Sequence, residues 1–339
     1  MPNPVLYTQA LAVAAVVSAL CVLATGWTRT LPSASRMNFA CVLGLGAGVI
    51  AGYRVLQLRC AWPPINGLDR LLTIVLPATF FIELLACWPQ LPQWLARGLR
   101  LILVASCGLI LLHGSVYLGG PHSAWTATGT FGLLLLSSSA LAIVWWSMSR
   151  LSRRSSGSSI LLAIALATQA AAINIMLAGY ITGGAAALPL TAALIGTSIA
   201  AIVCRAQPAS RGAVAMGVVG LFGLLFVGRF YGGLSTSHAL AMLLAPMLCW
   251  VTEAPQFRQQ LPRHRAILNL LLVAIPLLVV LILAKLAFDR DMAPLIGSLS
   301  QSPEVDSNTQ SHHGRVRREP GSWLLTHGSQ IQLICVPVI

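Results

Sequence analysis

The sequence predicts an all-α fold, a polytopic transmembrane helical bundle of about ten spans with the N-terminus and a C-terminal tail outside. Three observations carry this expectation. Hydrophobic residues make up 57% of the chain and charged ones only 9%, whereas soluble domains carry roughly a quarter charged residues. Apolar runs of about 17 to 25 residues, the length that crosses a hydrocarbon core, follow one another with short gaps as far as Phe288. Arginine content alternates between successive connecting loops, as the cytoplasmic retention of basic loops requires.

Residues 150–159 are the densest basic interruption and fix the orientation, because Arg150, Arg153 and Arg154 between two apolar runs hold that loop on the cytoplasmic side. Before it the expected spans are residues 5–25, 38–58, 71–87, 99–118 and 126–148. After it they are 159–178, 188–204, 212–228, 237–251 and 267–288. No basic residue precedes the first run, so it reads as a retained span and lacks the charged start of a secretory signal.

The loops test that order. The odd-numbered loops hold Arg29 and Arg36, then Arg97 and Arg100, then the 150–159 stretch, then Arg205 and Arg211, then Arg258, Arg263 and Arg265. The fourth and sixth hold none. The second, with Arg59 and Arg70 beside Asp69, departs from the rule. Residues 237–251 are short for a span and contain Pro246, which fits a re-entrant segment, but a segment that did not cross would put the Arg258 to Arg265 loop on the wrong side.

Aromatic side chains gather at membrane interfaces, and Tyr7, Tyr53, Tyr117, Tyr180 and Tyr231 all fall at outer ends. Three are followed by glycine pairs, Gly119-Gly120, Gly183-Gly184 and Gly232-Gly233, which predict tight turns between helices. Small residues spaced by four, which let helix backbones approach, occur at Ala40, Gly44, Gly48 and Gly52 of the second span. They recur at Ala163, Ala167 and Ala171 of the sixth and at Ala192, Gly196 and Ala200 of the seventh. These three helices are expected at the centre, with kinks at Pro77 and Pro276. The third and ninth spans also echo one another: Pro77, Glu83 and Arg97 against Pro246, Glu253 and Arg263 or Arg265.

Two domains follow: a transmembrane helical domain over 1–288 and a polar, extracytoplasmic tail over 289–339, read as disordered from its composition. His312-His313 in the tail reads as a solvated pair. The eight cysteines are scattered with no Cys-x-x-Cys, which is neither a zinc nor a disulfide framework; a Cys60–Cys335 bridge is allowed by topology alone. No metal and no cofactor is implied. The net charge of +13 sits at the ends of apolar runs and not on one polar face, so it sets topology and indicates no nucleic-acid partner.

Polar groups inside spans are the functional candidates, since each is costly in hydrocarbon. Glu83 lies in an apolar run: facing the bundle it is a proton or cation site, and facing the inner headgroups it is ordinary. Arg54 and Arg229, with Arg70 and Lys285, fit an outer vestibule that attracts anions, and His113 and His238 add groups that titrate near neutrality. Gln169 lies nearest the middle of a span, and it and Asn174 suit hydrogen bonds between helices. The chain lacks His-Glu-x-x-His, Gly-x-Ser-x-Gly, a phosphate-binding lysine loop and adjacent carboxylates, which weighs against an enzyme.

Three functions fit: a permease or channel for a small anionic or polar solute, a non-catalytic membrane subunit or scaffold of a larger complex, and an enzyme acting on a lipid-linked substrate. The partners expected are the lipid bilayer, a small-molecule solute and a membrane protein. The setting is an integral cell membrane, of bacterial inner-membrane type.

Overall fold

The computed structural model of the protein describes residues 4–27, 33–58, 62–88, 90–115, 117–118, 126–154, 157–204, 211–253 and 262–300. Cys60, Gly119, Gly120, His312, His313, Cys335 and loop residues Arg29, Arg59, Arg205 and Arg258 lie outside them. The chain divides into two units, Met1–Met292 and Ala293–Ile339. Of the second, only the helical residues to Ser300 are described.

The described secondary structure is helical throughout. Helix α1 (Pro4–Trp27) is followed by α2 (Ser33–Val55), then α3 (Gly67–Arg70), which passes through a π-helical turn (Leu71–Val75) into α4 (Leu76–Ala86). Next come α5 (Gln93–Leu112), α6 (Ala127–Leu151), α7 (Gly157–Leu177), α8 (Ile181–Val203) and α9 (Arg211–Tyr231). Helix α10 (Thr236–Leu244) continues as a 3₁₀ helix (Ala245–Glu253), and α11 (Pro262–Ser300) closes the series, running past Phe288. Eight of these helices, all except α3, α4 and α10, are long and apolar enough to cross a membrane. The protein is a multi-pass integral membrane bundle.

The two remaining expected spans are the two composite segments. Both run the full depth of the bundle. Gly67, at the start of α3, lies against the Tyr231 ring at the end of α9, whereas Cys87, after α4, accepts a hydrogen bond from Asn38 at the start of α2. Thr236, at the start of α10, meets Arg229, and Thr252, at the far end of the 3₁₀ stretch, bonds Asn269 in α11. A 3₁₀ helix rises about 2.0 Å per residue against 1.5 Å for an α-helix, so this segment reaches about 30 Å despite its length.

The same contacts sort the helix ends. Tyr53 donates to the Ala186 carbonyl (2.9 Å), Tyr231 to the Leu111 carbonyl (3.1 Å), and the Tyr117 ring meets Phe230 edge to face. These mark a tyrosine end. At the opposite, arginine end lie Arg100, Arg154, Arg211 and Arg265 with the starts of α2, α5, α9 and α11. Eight helices meet the length and apolarity of a crossing, against the ten spans expected.

The small-residue stripes pack as their spacing implies. A Cβ placed at Gly48 would lie 2.6 Å from the Ala14 carbonyl oxygen, one at Gly52 2.6 Å from Pro189, and one at Gly196 would collide with the Ala15 backbone. Ser18 of α1 bonds both Thr197 Oγ1 (2.6 Å) and the Ala193 carbonyl of α8 (2.9 Å), fastening α1, α2 and α8 together. The innermost helix, however, is α9, where every residue from Gly212 to Gly228 is buried. Its glycines are not spaced by four because they serve different neighbours: Gly217 meets Ile164 and Leu194, Gly220 meets Leu190, Gly223 meets Leu71 and Gly228 meets Ile175.

Two local expectations change. The α7–α8 turn is made by Gly179 (φ 92°), while Gly183 and Gly184 lie inside α8 against Tyr180 and Met176. The α9–α10 turn does use its pair, through Gly233 (φ 70°). Pro77 sits directly after the π turn, which absorbs the hydrogen bond its ring nitrogen cannot donate. Pro276 lies within α11.

Candidate functional site at the arginine end

Glu83 has no exposed surface, and its carboxylate faces Arg100 of the next helix. Arg100 Nε donates to Oε1 and a terminal amino group to Oε2, each at 2.7 Å, the parallel fork with which a guanidinium holds a planar oxyanion. The short connection between α4 and α5 makes this possible. Pro92 begins α5 with extended backbone, and Arg100 stands two turns in, level with the last turns of α4.

A chain of hydrogen bonds ties the backbone of the acid to two other helices. Asn38 of α2 accepts from the Gly212 backbone N–H (2.8 Å) and donates to the Cys87 sulfur (3.0 Å); the Cys87 thiol donates to the Glu83 carbonyl (3.1 Å). A Cβ at Gly212 would press on Val42 and stand 3.3 Å from Glu83 Oε2. Glycine there lets the carboxylate come close to the N-terminus of α9, whose partial positive charge favours an anion. Arg211 is the first residue of that helix and lies within electrostatic reach of Arg100 and Arg153. Arg211 thus adds positive charge beside Arg100, the one guanidinium that pairs with Glu83 among the described residues.

The pattern recurs at the other composite segment. Glu253 ends the 3₁₀ stretch with its side chain 5% exposed, and Arg265, at the start of α11, brings its guanidinium to 3.9 Å. Thr252 Oγ1 bonds Asn269 Oδ1 (2.6 Å) alongside. Arg154 lies at 5.9 Å over the ring of Trp250, three residues before Glu253. The echo between the third and ninth spans holds in part: each acid at the exit of an interrupted helix is met by an arginine from the helix that follows, but for Glu83 this is Arg100 and not Arg97, which bonds Gln93.

The other sequence candidates do not join Glu83. Arg54 is exposed in the last turn of α2. His113 caps the end of α5, where its carbonyl accepts from Arg70, which also donates to the Ile65 carbonyl (3.3 Å). Arg229 donates to Thr236 Oγ1 (2.7 Å), and His238 follows in the first turn of α10 with its backbone N–H on Ser235 Oγ (3.3 Å). Gln169 is half-buried on α7. Lys285 pairs with Asp289 (2.9 Å) on the exposed part of α11. Asn174 is buried, and its amide nitrogen meets no partner among the described residues.

Three residues of the site, Arg100, Asn38 and Gly212, were not singled out from sequence, and Arg265 was named only in the echo of the third and ninth spans. Arg100 and Arg265 were read as topology charges, and the recurring acid-then-arginine spacing was the available signal. Among the described residues no three of His, Cys, Asp and Glu gather to hold a metal ion. No family model, no curated protein and no solved structure matches this chain.

Proposed function

We propose that the protein is a permease for a small anionic or polar solute, with the Glu83–Arg100 pair as its gate at the arginine end. The observation that carries this reading is a fully buried carboxylate on an interrupted helix, bridged to an arginine that remains 33% exposed. An apolar pair of similar volume would hold two helices together at lower desolvation cost. Arg100 faces the aqueous end with its fork filled by Glu83, and an incoming carboxylate or phosphate offers the same two acceptors. Protonation of Glu83, or competition by such an oxyanion, frees α4 to move at the π turn and Pro77. Interrupted helices near a binding site are a recurrent transporter feature. Arg153 and Arg211 raise the local anion concentration.

By the charge rule the arginine end is cytoplasmic and both composite segments cross. The test is uptake by the purified protein in liposomes, across a panel of small anions and polar solutes, with Glu83→Gln and Arg100→Gln beside wild type. Uptake by wild type that falls at least about tenfold in either variant supports the gate. Absence of any uptake, together with a stoichiometric membrane partner on gentle purification, overturns it in favour of the subunit reading.

A further inference from the structure

Midway round the bundle α6, α9 and α10 leave a groove of about 780 Å³, its open side included, with an almost wholly apolar lining. Phe222 and Phe226 of α9 form its floor, with ring centroids 5.6 Å apart, and Phe230 continues the row at 4.7 Å. Leu136 and Leu240, both strongly exposed, form its rims. The groove therefore opens sideways, towards the hydrocarbon that surrounds such a bundle.

Its tyrosine end is polar. Arg229 and Thr236 close it, and the Arg229 Nε bond to Thr236 leaves both terminal amino groups of the guanidinium for another acceptor. Among the described residues no carboxylate pairs with Arg229. The start of α10 stands at the same mouth and adds a partial positive charge. From Arg229 to Phe222 the floor runs roughly 10 Å along α9. A cation at headgroup level above an apolar trough of that length is complementary to one molecule class: a lipid with an anionic headgroup and a chain that lies along the three phenylalanines.

We propose that this groove binds the hydrocarbon chain of an anionic phospholipid, with Arg229 on its phosphate. The assignment stands apart from the permease reading, which concerns the opposite end.

The experiment uses the full chain in phosphatidylcholine vesicles carrying a trace of chain-photoactivatable phosphatidic acid or, separately, phosphatidylcholine. Crosslinks are mapped by peptide mass spectrometry. The phosphatidic acid probe is expected to label residues 133–140 and 222–243 above all other helices. Arg229→Gln should cut that labelling about tenfold, the effect of losing a charge-assisted bond at an interface. Arg229→Lys should keep most of it, and Ala239→Trp, which fills the groove and leaves the charge, should abolish it. Even labelling of all lipid-facing helices overturns the proposal. So does equal labelling by the phosphatidylcholine probe, or labelling indifferent to both Arg229→Gln and Ala239→Trp. A co-purified protein crosslinked there in place of lipid overturns it as well.

Discussion

Both oxygens of Glu83 are taken by one guanidinium, so the two members of the pair fail differently when changed. Arg100→Ala leaves a carboxylate in a closed apolar setting and should cost about 3 kcal/mol, the low end for a broken buried pair because Arg100 itself is partly exposed. Glu83→Gln keeps shape and an acceptor and should cost about 1 kcal/mol. Unfolding of the detergent-solubilised variants would check the order; an Arg100→Ala protein as stable as Glu83→Gln would mean that the acid finds another partner. The buried position of Glu83 was one of two readings open from sequence. Its partner was not legible, since an arginine at a helix start satisfies the charge rule whether it points to headgroups or back into the bundle. Asn38 and Gly212 gave less still: their roles depend on α2 and α9 meeting at one end, and nothing local encodes that.

At the level of the helix, length and hydropathy located eight crossings because a continuous apolar α-helix is the simplest solution to an apolar solvent. The four-residue stripes identified true contact faces on α2, α7 and α8. They did not identify the centre. A helix with one neighbour concentrates its small residues on one face, whereas α9 distributes five glycines among neighbours on every side, which erases the period. Close packing at the stripes makes a sharp contrast testable. Gly48→Leu and Gly196→Leu drive side chains into the α1 backbone and should each cost about 3 kcal/mol or more, or prevent folding. Gly98→Ala and Gly132→Ala, where a Cβ meets nothing within 4 Å, should be neutral or stabilise by at most about 1 kcal/mol. Thermal unfolding of the four would decide whether these faces hold the bundle.

Over the whole molecule, the described tyrosines gather at one end and most of the described arginines at the other, with Arg54, Arg70 and Arg229 as exceptions, so topology can be read by labelling. Cysteines introduced at Ser237 and His264 should react with a membrane-impermeant maleimide from opposite sides, Ser237 outside and His264 inside; reaction from the same side would show that the ninth segment turns back. Gain and loss in the sequence reading have one physical origin here. Charge and aromatic placement report each helix end separately, and the tyrosines do gather at one end of the bundle. They carry no information on which ends are neighbours.

The 3₁₀ stretch at the end of that ninth segment acts mechanically as a stretched screw. Relaxing Ala245–Glu253 into the wider α-helix would shorten it by about 4 to 5 Å and, at about 20° per residue, turn its last residue by roughly half a revolution. Glu253 would then point away from Arg265 and be drawn inward from the arginine end. A change of winding over nine residues is therefore enough to connect or disconnect an acid from its arginine, with no movement of the helices on either side.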